Sequence, residues 1–422
     1  MTEPLLLPTL GSRPTPTMRY LSTRGEAEPL DFRGAMLTGL APDGGLYVPE
    51  VIPSLPQGWE KWSYQQSVTV ALTLFGAERV GPMVLEAASR FRHPDVAPLV
   101  PVGDRHILEL FWGPTLSFKD HALQIMARML DRELGEQRTI LGATSGDTGS
   151  AAIEACRGRP NLRIVVLFPE GKVSEFQRRQ MTTVDDPNVF AVAVDGTFDD
   201  CQAMVKEAFG RHVGLLAFNS INWARVAAQV GYYVYLAAMM KEPFDVVVPT
   251  GNFGNVFSCW VAKRMGAPIE TITIANNANR GLATLVGTGS MDQSNVLPTL
   301  APAMDVGVPS NLERFTGDAG LEFEAGFADD EQIRATIAEV DRRHAYLLDP
   351  HTATAWFVGE EKMGSRPQVV VGTAHPAKFA EAVQRSIGRV PEPPPGFEDL
   401  LNRPERVARI GVDRSQLDRL IS

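Results

Sequence analysis

Beyond about residue 96, apolar strand-like runs, Gly-rich loops and helical segments follow one another repeatedly along the chain. One run, residues 162–168, is almost continuously apolar, as expected of a strand that is buried on both faces. The predicted strands cover residues 138–141, 162–168, 189–194, 245–248, 269–274 and 368–371. This alternation predicts βαβ units, and therefore an α/β fold with mostly parallel sheets and helices on both faces. Ligands of such folds lie beyond the carboxyl ends of the strands, so we expect the loops after these strands to carry the chemistry.

The composition is that of an ordinary globular enzyme, and it narrows the class of ligand. Hydrophobic residues make up 44% of the 422 residues, charged residues make up 21%, and the formal net charge is -10. Lysine and arginine are scattered, which predicts no nucleic-acid partner, and no apolar run approaches the ~20 residues of a membrane helix. The three cysteines are far apart, and the seven histidines show no metal-ligand spacing. We expect a metal-free, cytoplasmic protein that acts on a small molecule and does not bind membranes.

The chain divides into four predicted regions. Residues 1–17 hold four prolines and no periodic pattern, which predicts a flexible extension. Residues 18–95 form a small mixed N-terminal unit, in which Asp31 is a fair helix cap and helices are expected near residues 64–75 and 82–91. Residues 96–390 form the catalytic core. Residues 391–422 open with a proline-rich stretch and then turn helical, which predicts a C-terminal tail packed on the surface.

One lysine stands at an unusual position. Lys119 lies at or just before the start of a helix, where the helix dipole favours anions over cations. Its neighbours Leu116 and Phe118 are apolar, and desolvation would lower the pKa of its amine and favour the nucleophilic neutral form. The other interpretation is an exposed lysine whose stem lies on apolar surface, and this stretch alone favours that second interpretation.

Three loops that follow predicted strands qualify as anion or ligand sites. The loop 143–150 offers backbone N–H groups and hydroxyls near a helix start, which suits a carboxylate or phosphate but also fits a capped turn. The glycines of the loop 249–255 favour its interpretation as a phosphate-binding loop, a phosphate cup. Its sequence matches neither the P-loop nor the dinucleotide fingerprint. In the loop 371–378, Thr373 falls at a strand end. One reactive lysine with a phosphate cup and a carboxylate cup fits a pyridoxal-phosphate (PLP) enzyme that acts on an amino acid.

Six motifs resemble the threonine synthase family. They are residues 18–25, 43–49, 113–120, 143–149, 251–254 and 372–379. The resemblance is to the longer branch, which has its own N-terminal domain, and the first two motifs separate it from threonine dehydratase and cysteine synthase. It implies PLP-dependent fold type II, similar to the tryptophan synthase β chain, with two α/β subdomains and a small N-terminal domain. It also implies conversion of O-phospho-L-homoserine and water into L-threonine and phosphate.

The resemblance assigns roles to individual residues. Lys119 matches the lysine that binds PLP covalently and then serves as general base and acid, and Thr373 matches the hydroxyl that faces the pyridine nitrogen. Asp147 stands where related enzymes often have an asparagine near the 3′-oxygen of the cofactor. The phosphate-binding loop corresponds to Gly251, Asn252, Phe253, Gly254 and Asn255, and the loop for the substrate carboxylate corresponds to Ser145, Gly146, Asp147 and Thr148.

The phosphate of the substrate needs a second anion site. We look to the segment 219–225, in which Ser220, Asn222 and Arg225 are candidate ligands, with Lys172 as a further source of charge. Arginine suits bidentate phosphate binding, although a surface arginine on the following helix is an equal alternative.

Two other functions compete with this one. The first is a related PLP-dependent phospho-lyase that releases phosphate but yields a 2-oxo acid, and the second is a ligand sensor that kept the fold without turnover. A dinucleotide-dependent dehydrogenase is the weakest option because the fingerprint is absent. The sequence leaves open whether the protein is a monomer or a homodimer.

Overall fold

The N-terminal unit consists of two short strands and three helices. The structure, a computed structural model, describes residues 18–291, 296–315 and 322–421, so the extension predicted for residues 1–17 lies outside the described residues. The elements are β1 (Tyr20–Ser22), α1 (Phe32–Thr38), β2 (Tyr47–Pro49), α2 (Tyr64–Leu74) and α3 (Gly81–Ala88). Asp31 caps α1 as predicted, because its side chain accepts a hydrogen bond from the Gly34 N–H. Strands β1 and β2 pair antiparallel.

The remaining elements alternate as the sequence predicts. The strands are β3 (Leu99–Val102), β4 (Arg105–Glu109), β5 (Arg138–Ala143), β6 (Leu162–Pro169), β7 (Val189–Val194), β8 (Phe244–Pro249), β9 (Ile269–Asn276), β10 (Glu324–Phe327), β11 (Gln368–Gly372) and β12 (Ala408–Ile410). The helices are α4 (Lys119–Glu133), α5 (Asp147–Cys156), α6 (Glu175–Thr182), α7 (Phe198–Arg211), α8 (Trp223–Met240), α9 (Gly254–Arg264), α10 (Gly281–Thr288), α11 (Asp330–His344), α12 (Pro350–Glu361), α13 (Ala380–Ile387) and α14 (Arg414–Ile421). All six predicted strands are confirmed, with ends shifted by at most two residues.

The larger sheet brings two of the predicted loops next to the lysine. Its six strands lie in the order β10-β9-β8-β11-β4-β3, and every pair is parallel except β3 with β4. Strand β11 lies between β8 and β4, so the loops after these three strands emerge side by side. Strands β3, β4 and β10 were not predicted, because they are short and two of them hold few apolar residues.

The smaller sheet contains a strand from the C-terminal region. Its four strands lie in the order β12-β7-β6-β5 and are all parallel. The surface tail predicted for residues 391–422 is therefore wrong in part: it ends in a helix, but β12 extends the sheet and Leu417 and Ile421 are buried against it. The three residues of β12 are too few to show a period, and their partner lies far away in the sequence.

The helices pack against both faces of the sheets and against the N-terminal unit. The longest of them, α8, is buried along most of its length and packs against α2, α4 and α9. Within the described residues, no helix combines the length and the apolar character needed to cross a bilayer.

Candidate active site

A cavity of about 1010 Å³ lies at the carboxyl ends of the strands. The loops after β5, β8 and β11 and the first residue of α4 all line it, together with residues of α7 and of the segment before α8. The prediction that the strand-end loops gather at one site is confirmed. Among the described residues, no group of three or more His, Cys, Asp or Glu side chains could hold a metal ion.

Lys119 is the first residue of α4, and backbone hydrogen bonds fix its segment against the loop after β11. The Leu110 N–H donates to the Gly372 carbonyl at 2.9 Å, and the Phe118 N–H donates to the Thr373 carbonyl at the same distance. The His375 N–H in turn donates to the Leu116 carbonyl at 3.1 Å. This ladder sets Lys119 beside Thr373, so two of the residues that the resemblance singled out line the same wall of the cavity.

The amine of Lys119 is largely shielded from water. The residue is 8% exposed, and its Nζ lies 3.3 Å from Asp147 Oδ2 and 4.6 Å from the centre of the Phe118 ring. Burial lowers the pKa of Lys119; the Asp147 carboxylate opposes this shift, and the positive charges of Arg225 and Lys378 add to it. Of the two interpretations of Lys119, the desolvated amine is therefore correct, and the exposed lysine that the stretch alone favoured is wrong.

Asp147 opens α5 and is held by three donors. Its Oδ1 accepts hydrogen bonds from Gln177 Nε2 and lies 2.8 Å from Lys378 Nζ, while its Oδ2 faces Lys119. Burial opposes ionisation of this carboxyl, but attraction to Lys378 and Lys119 holds its pKa well below the usual range. The helix starts three residues earlier than residue 150, where we predicted its start.

The loop before α5 owes its shape to Thr144 and Gly146. Gly146 has a φ of 142°, a conformation that favours glycine, and an added Cβ would lie 2.5 Å from the Gln177 side chain. Its N–H donates to Thr144 Oγ1 at 3.0 Å, so this amide is directed into the loop rather than towards a ligand. Ser145 and Thr148 line the cavity, and the first-turn amides at Asp147 and Thr148 have no acceptor within the helix.

The loop after β8 presents an unused donor to the cavity. Phe253 has a φ of 65°, unusual for a bulky residue, and its ring is buried against Phe315 and Phe323. Asn255 Oδ1 accepts hydrogen bonds from the hydroxyls of Tyr232 and Tyr233 at 2.5 and 2.8 Å, which fixes its amide group. Its buried Nδ2 has no hydrogen-bond partner among the described residues, so the loop offers a donor that suits a phosphate oxygen.

Gly251 gives a test of this loop. A Cβ at this position would lie 2.4 Å from the Ala303 carbonyl oxygen, so the loop would have to move away from its neighbouring backbone. We expect Gly251→Ala to weaken PLP binding by about tenfold or more, because displacements of about 1 Å are costly at such sites. Fluorescence titration of the cofactor-free protein with PLP measures this effect. Gly287→Ala, which meets nothing within 4 Å in α10, is the matched control and should bind PLP normally; equal affinities of the two variants would contradict the prediction.

Arg225 provides a second unsatisfied donor. It lies in the first turn of α8, is 5% exposed and lines the cavity. Its Nη1 has no hydrogen-bond partner in the described part of the chain, and burial lowers the pKa of its guanidinium to about 10, so it stays charged at neutral pH. A buried arginine without a counterion is costly, and an anionic ligand would compensate it. Ser220 lines the same part of the cavity.

Two of the predicted phosphate ligands do not belong to this site. Asn222 is buried outside the cavity lining, and both ends of its amide are used: Oδ1 accepts from the Ala224 N–H, and Nδ2 donates to the Met36 carbonyl. It is the N-cap of α8, a role that asparagine often fills. Lys172 is exposed in the loop after β6 and is not among the described residues that line the cavity. We withdraw both assignments.

Sequence reasoning missed the residues that hold the site together from behind. Asn311 Nδ2 donates to the carbonyls of Ser220 and Asn252 at 3.1 and 2.9 Å, so it ties the segment before α8 to the loop after β8. Arg314 donates to the carbonyls of Tyr47 and Ile221 and to Asn311 Oδ1, which connects the N-terminal unit to the same segment. No local pattern marks these residues. Lys378 lies within a motif that we noted, but nothing in the sequence shows that it is buried.

Three family models match the chain over consecutive and overlapping regions. Residues 19–88 match the threonine synthase N terminus, residues 108–372 match the pyridoxal-phosphate-dependent enzymes, and residues 352–421 match the threonine synthase C-terminal region. A threonine synthase of Pseudomonas aeruginosa is 40% identical, with 96% of this chain and 98% of the relative covered. The chain belongs to the threonine synthase family.

Solved structures of threonine synthases agree with this assignment. The PLP-bound enzyme of Brucella melitensis superposes with a TM-score of 0.92 at 40% identity, covering 96% of this chain and 99% of the other. The yeast threonine synthase gives a TM-score of 0.89 at 32% identity, with 97% and 99% covered. The predicted fold, PLP-dependent fold type II with an added N-terminal domain, is confirmed.

PLP is the cofactor of this threonine synthase family member, and the cavity fits it. Asn255 Nδ2, which has no partner among the described residues, and the backbone of Gly251, which lies close to Ala303, both line this cavity, so the loop offers a donor to an anion. The buried amine of Lys119 lies in the same cavity, as a covalently bound aldehyde cofactor requires.

Proposed function

We propose that the chain converts O-phospho-L-homoserine and water into L-threonine and phosphate. The observation that carries this substrate assignment is the buried Arg225, whose Nη1 has no hydrogen-bond partner among the described residues and which lies in one cavity with Lys119 and the loop 251–255. The phosphate of PLP would occupy one anion position and leave the other for a substrate that bears a phosphate of its own. The buried charged groups that interact with Lys119 are Asp147, Arg225 and Lys378, so two cations accompany one anion even when Lys119 is neutral.

The residues that would hold PLP are those that the family resemblance singles out. The loop of Gly251, Asn252, Phe253, Gly254 and Asn255 would hold the phosphate of PLP, Thr373 would bind the pyridine nitrogen, and Asp147 would contact the 3′-oxygen. When bound, PLP supplies an electron sink that stabilises negative charge on the substrate carbon next to the amino group.

Lys119 performs the proton transfers. Its lowered pKa increases the fraction of neutral amine, which removes the α-proton and then moves protons between the neighbouring carbons of the substrate. These transfers need one base that can reach several adjacent carbons of the substrate. The long side chain of Lys119, at the start of α4, provides such a base. Because Lys119 is buried, bulk water is largely excluded from its amine during these steps.

The remaining residues orient the substrate. Ser145 and Thr148, with the free first-turn amides of α5, bind the substrate carboxylate, and Gly146 contributes by shaping the loop. Arg225 and Ser220 bind the substrate phosphate and stabilise it as it leaves. We also propose that the enzyme works in the cytoplasm as a monomer or homodimer.

The decisive test is to measure products. The purified, PLP-loaded protein is incubated with O-phospho-L-homoserine, and phosphate, threonine and 2-oxo acid are quantified. We expect threonine and phosphate in equal amounts. Phosphate with an equal amount of a 2-oxo acid would instead show the related phospho-lyase, and neither phosphate nor threonine from protein that binds PLP would favour a ligand sensor.

A further inference from the structure

Lys378 is a buried lysine that the mechanism above does not use. It lies in a short 3-10 helix, Pro376–Phe379, which follows β11, and it is 0% exposed. Its Nζ donates to the Thr115 carbonyl at 2.7 Å and lies 2.8 Å from Asp147 Oδ1. It is not among the described residues that line the cavity, so it stands behind Asp147 as seen from the site.

Asp147 is therefore shared between two amines with different surroundings. Lys119 faces the cavity at 3.3 Å from Oδ2, while Lys378 is fully buried and closer, at 2.8 Å from Oδ1. A buried carboxylate with a single ammonium partner binds it strongly, because removing either charge leaves the other one uncompensated. With Lys119 as its only partner, Asp147 would oppose loss of the Lys119 proton, yet the neutral amine is the form that attacks carbonyls and accepts protons.

We propose that Lys378 is a positioning residue that keeps Asp147 charge-balanced, so that Lys119 can give up its proton without leaving a buried carboxylate unpaired. This inference rests on the proposed role of Lys119 as the PLP-binding lysine. In this arrangement Asp147 and Lys378 form a neutral unit behind the cofactor. In net charge this unit is equivalent to the asparagine that related enzymes often have at the position of Asp147.

The other charged groups around this pair do not take over the role of Lys378. Arg225 of α8 also interacts with Lys119, but it lies in the cavity, where a ligand would engage it. Asp120 of α4 interacts with Lys378, but both of its oxygens are bound by Thr115, and burial raises the pKa of this carboxyl to about 6. His375, near Lys378, is neutral because burial lowers the pKa of its ring to about 4.

The test uses three variants of the full-length chain: Lys378→Met, Asp147→Asn and the double variant. The rate of covalent PLP attachment to each cofactor-free protein is followed by absorbance between about pH 6 and pH 10, around the range in which a lysine with a lowered pKa titrates. Melting temperatures of the same samples show whether each variant is folded.

The expected pattern is specific to charge balance. Lys378→Met should shift the pH midpoint of attachment upward by about one unit and slow attachment at neutral pH about tenfold. Asp147→Asn should shift the midpoint downward. The double variant should return to within about threefold of the wild-type rate, because the carboxylate that Lys378 compensated is gone.

Three outcomes would overturn the inference. If Lys378 only supports the Thr115 backbone, the double variant will be at least as slow as Lys378→Met. If Lys378→Met does not fold, the test rests on Asp147→Asn alone. An unchanged or raised pH midpoint of PLP attachment in that variant would contradict the proposal. A normal rate in folded Lys378→Met also contradicts it. A wild-type chain that attaches no PLP at Lys119 would instead refute the proposed function itself, so the two failures are distinguishable.

Discussion

Replacing Lys119 by alanine should abolish covalent PLP binding and lower threonine formation by about 10³-fold or more. The variant loses both the nucleophile that attaches the cofactor and the base that moves protons, and positioned proton transfer alone contributes about 10² to 10⁴-fold. The loop 251–255 is untouched, so PLP should still bind non-covalently and the spectrum should become that of the free aldehyde. Absorbance spectra and product assays at saturating PLP measure both effects.

A second measurement locates the bond directly. Borohydride reduction of wild-type enzyme followed by peptide mass spectrometry should place PLP on Lys119. Lys362→Ala removes an exposed lysine at the end of α12 and should leave the spectrum and activity unchanged. An adduct on another buried lysine, such as Lys378, would refute our assignment of the site.

Replacing Arg225 by alanine should lower kcat/KM for O-phospho-L-homoserine by about 10² to 10³-fold while leaving the bound-PLP spectrum intact. The expected loss corresponds to roughly 3–4 kcal/mol, within the range for removing one partner of a buried charge pair. Arg225→Lys keeps the positive charge but loses the planar guanidinium that binds a phosphate through two hydrogen bonds. Its kcat/KM should therefore lie between those of Arg225→Ala and the wild type. Steady-state kinetics with each enzyme measure the difference.

The same substitution should not harm the folded protein. In the part of the chain that the structure describes, no carboxylate forms an ion pair with the buried Arg225 guanidinium, and its Nη1 has no hydrogen-bond partner. Such a group is destabilising, so Arg225→Ala should melt at the same temperature as the cofactor-free wild type or higher. Lys172→Ala is the matched control, because Lys172 was also predicted from the sequence as a ligand of the substrate phosphate. Lys172 is exposed, so we expect this variant to have unchanged kinetics. A kcat/KM within about threefold of wild type for Arg225→Ala would remove Arg225 from the phosphate site.

Sequence reasoning succeeded where the signal is local or follows from topology. The position of Lys119 at a helix start follows from the apolar spacing after it, and Asp31 is a cap by its residue type and position. The gathering of the three loops follows from a general property of parallel sheets, in which strand ends share one edge.

The failures have two different physical causes. Asn222 was open to local reasoning, because an asparagine directly before a long apolar helix is first of all a candidate N-cap. The positions of Lys378 and β12 were not open to it, because they depend on which distant segment packs against them. For Lys172, the sequence alone does not show that the loop after β6 holds this side chain outside the cavity. The hydroxyls of Tyr232 and Tyr233 that orient Asn255 lie more than twenty residues away from it in the sequence, so the unused donor of that amide could not be foreseen.

The central place of β11 in the larger sheet has a consequence for how the protein is made. Residues 368–372 are synthesised long after β4 and β8, and until they dock, those two strands have no common neighbour. The segment before Lys119 also lacks its backbone acceptors at Gly372 and Thr373 until then. A ribosome-bound chain that ends before β11 therefore has Lys119 and the loop 251–255 but lacks the strand that holds them together. We therefore expect the chain to bind the cofactor only after β11 has docked into the sheet.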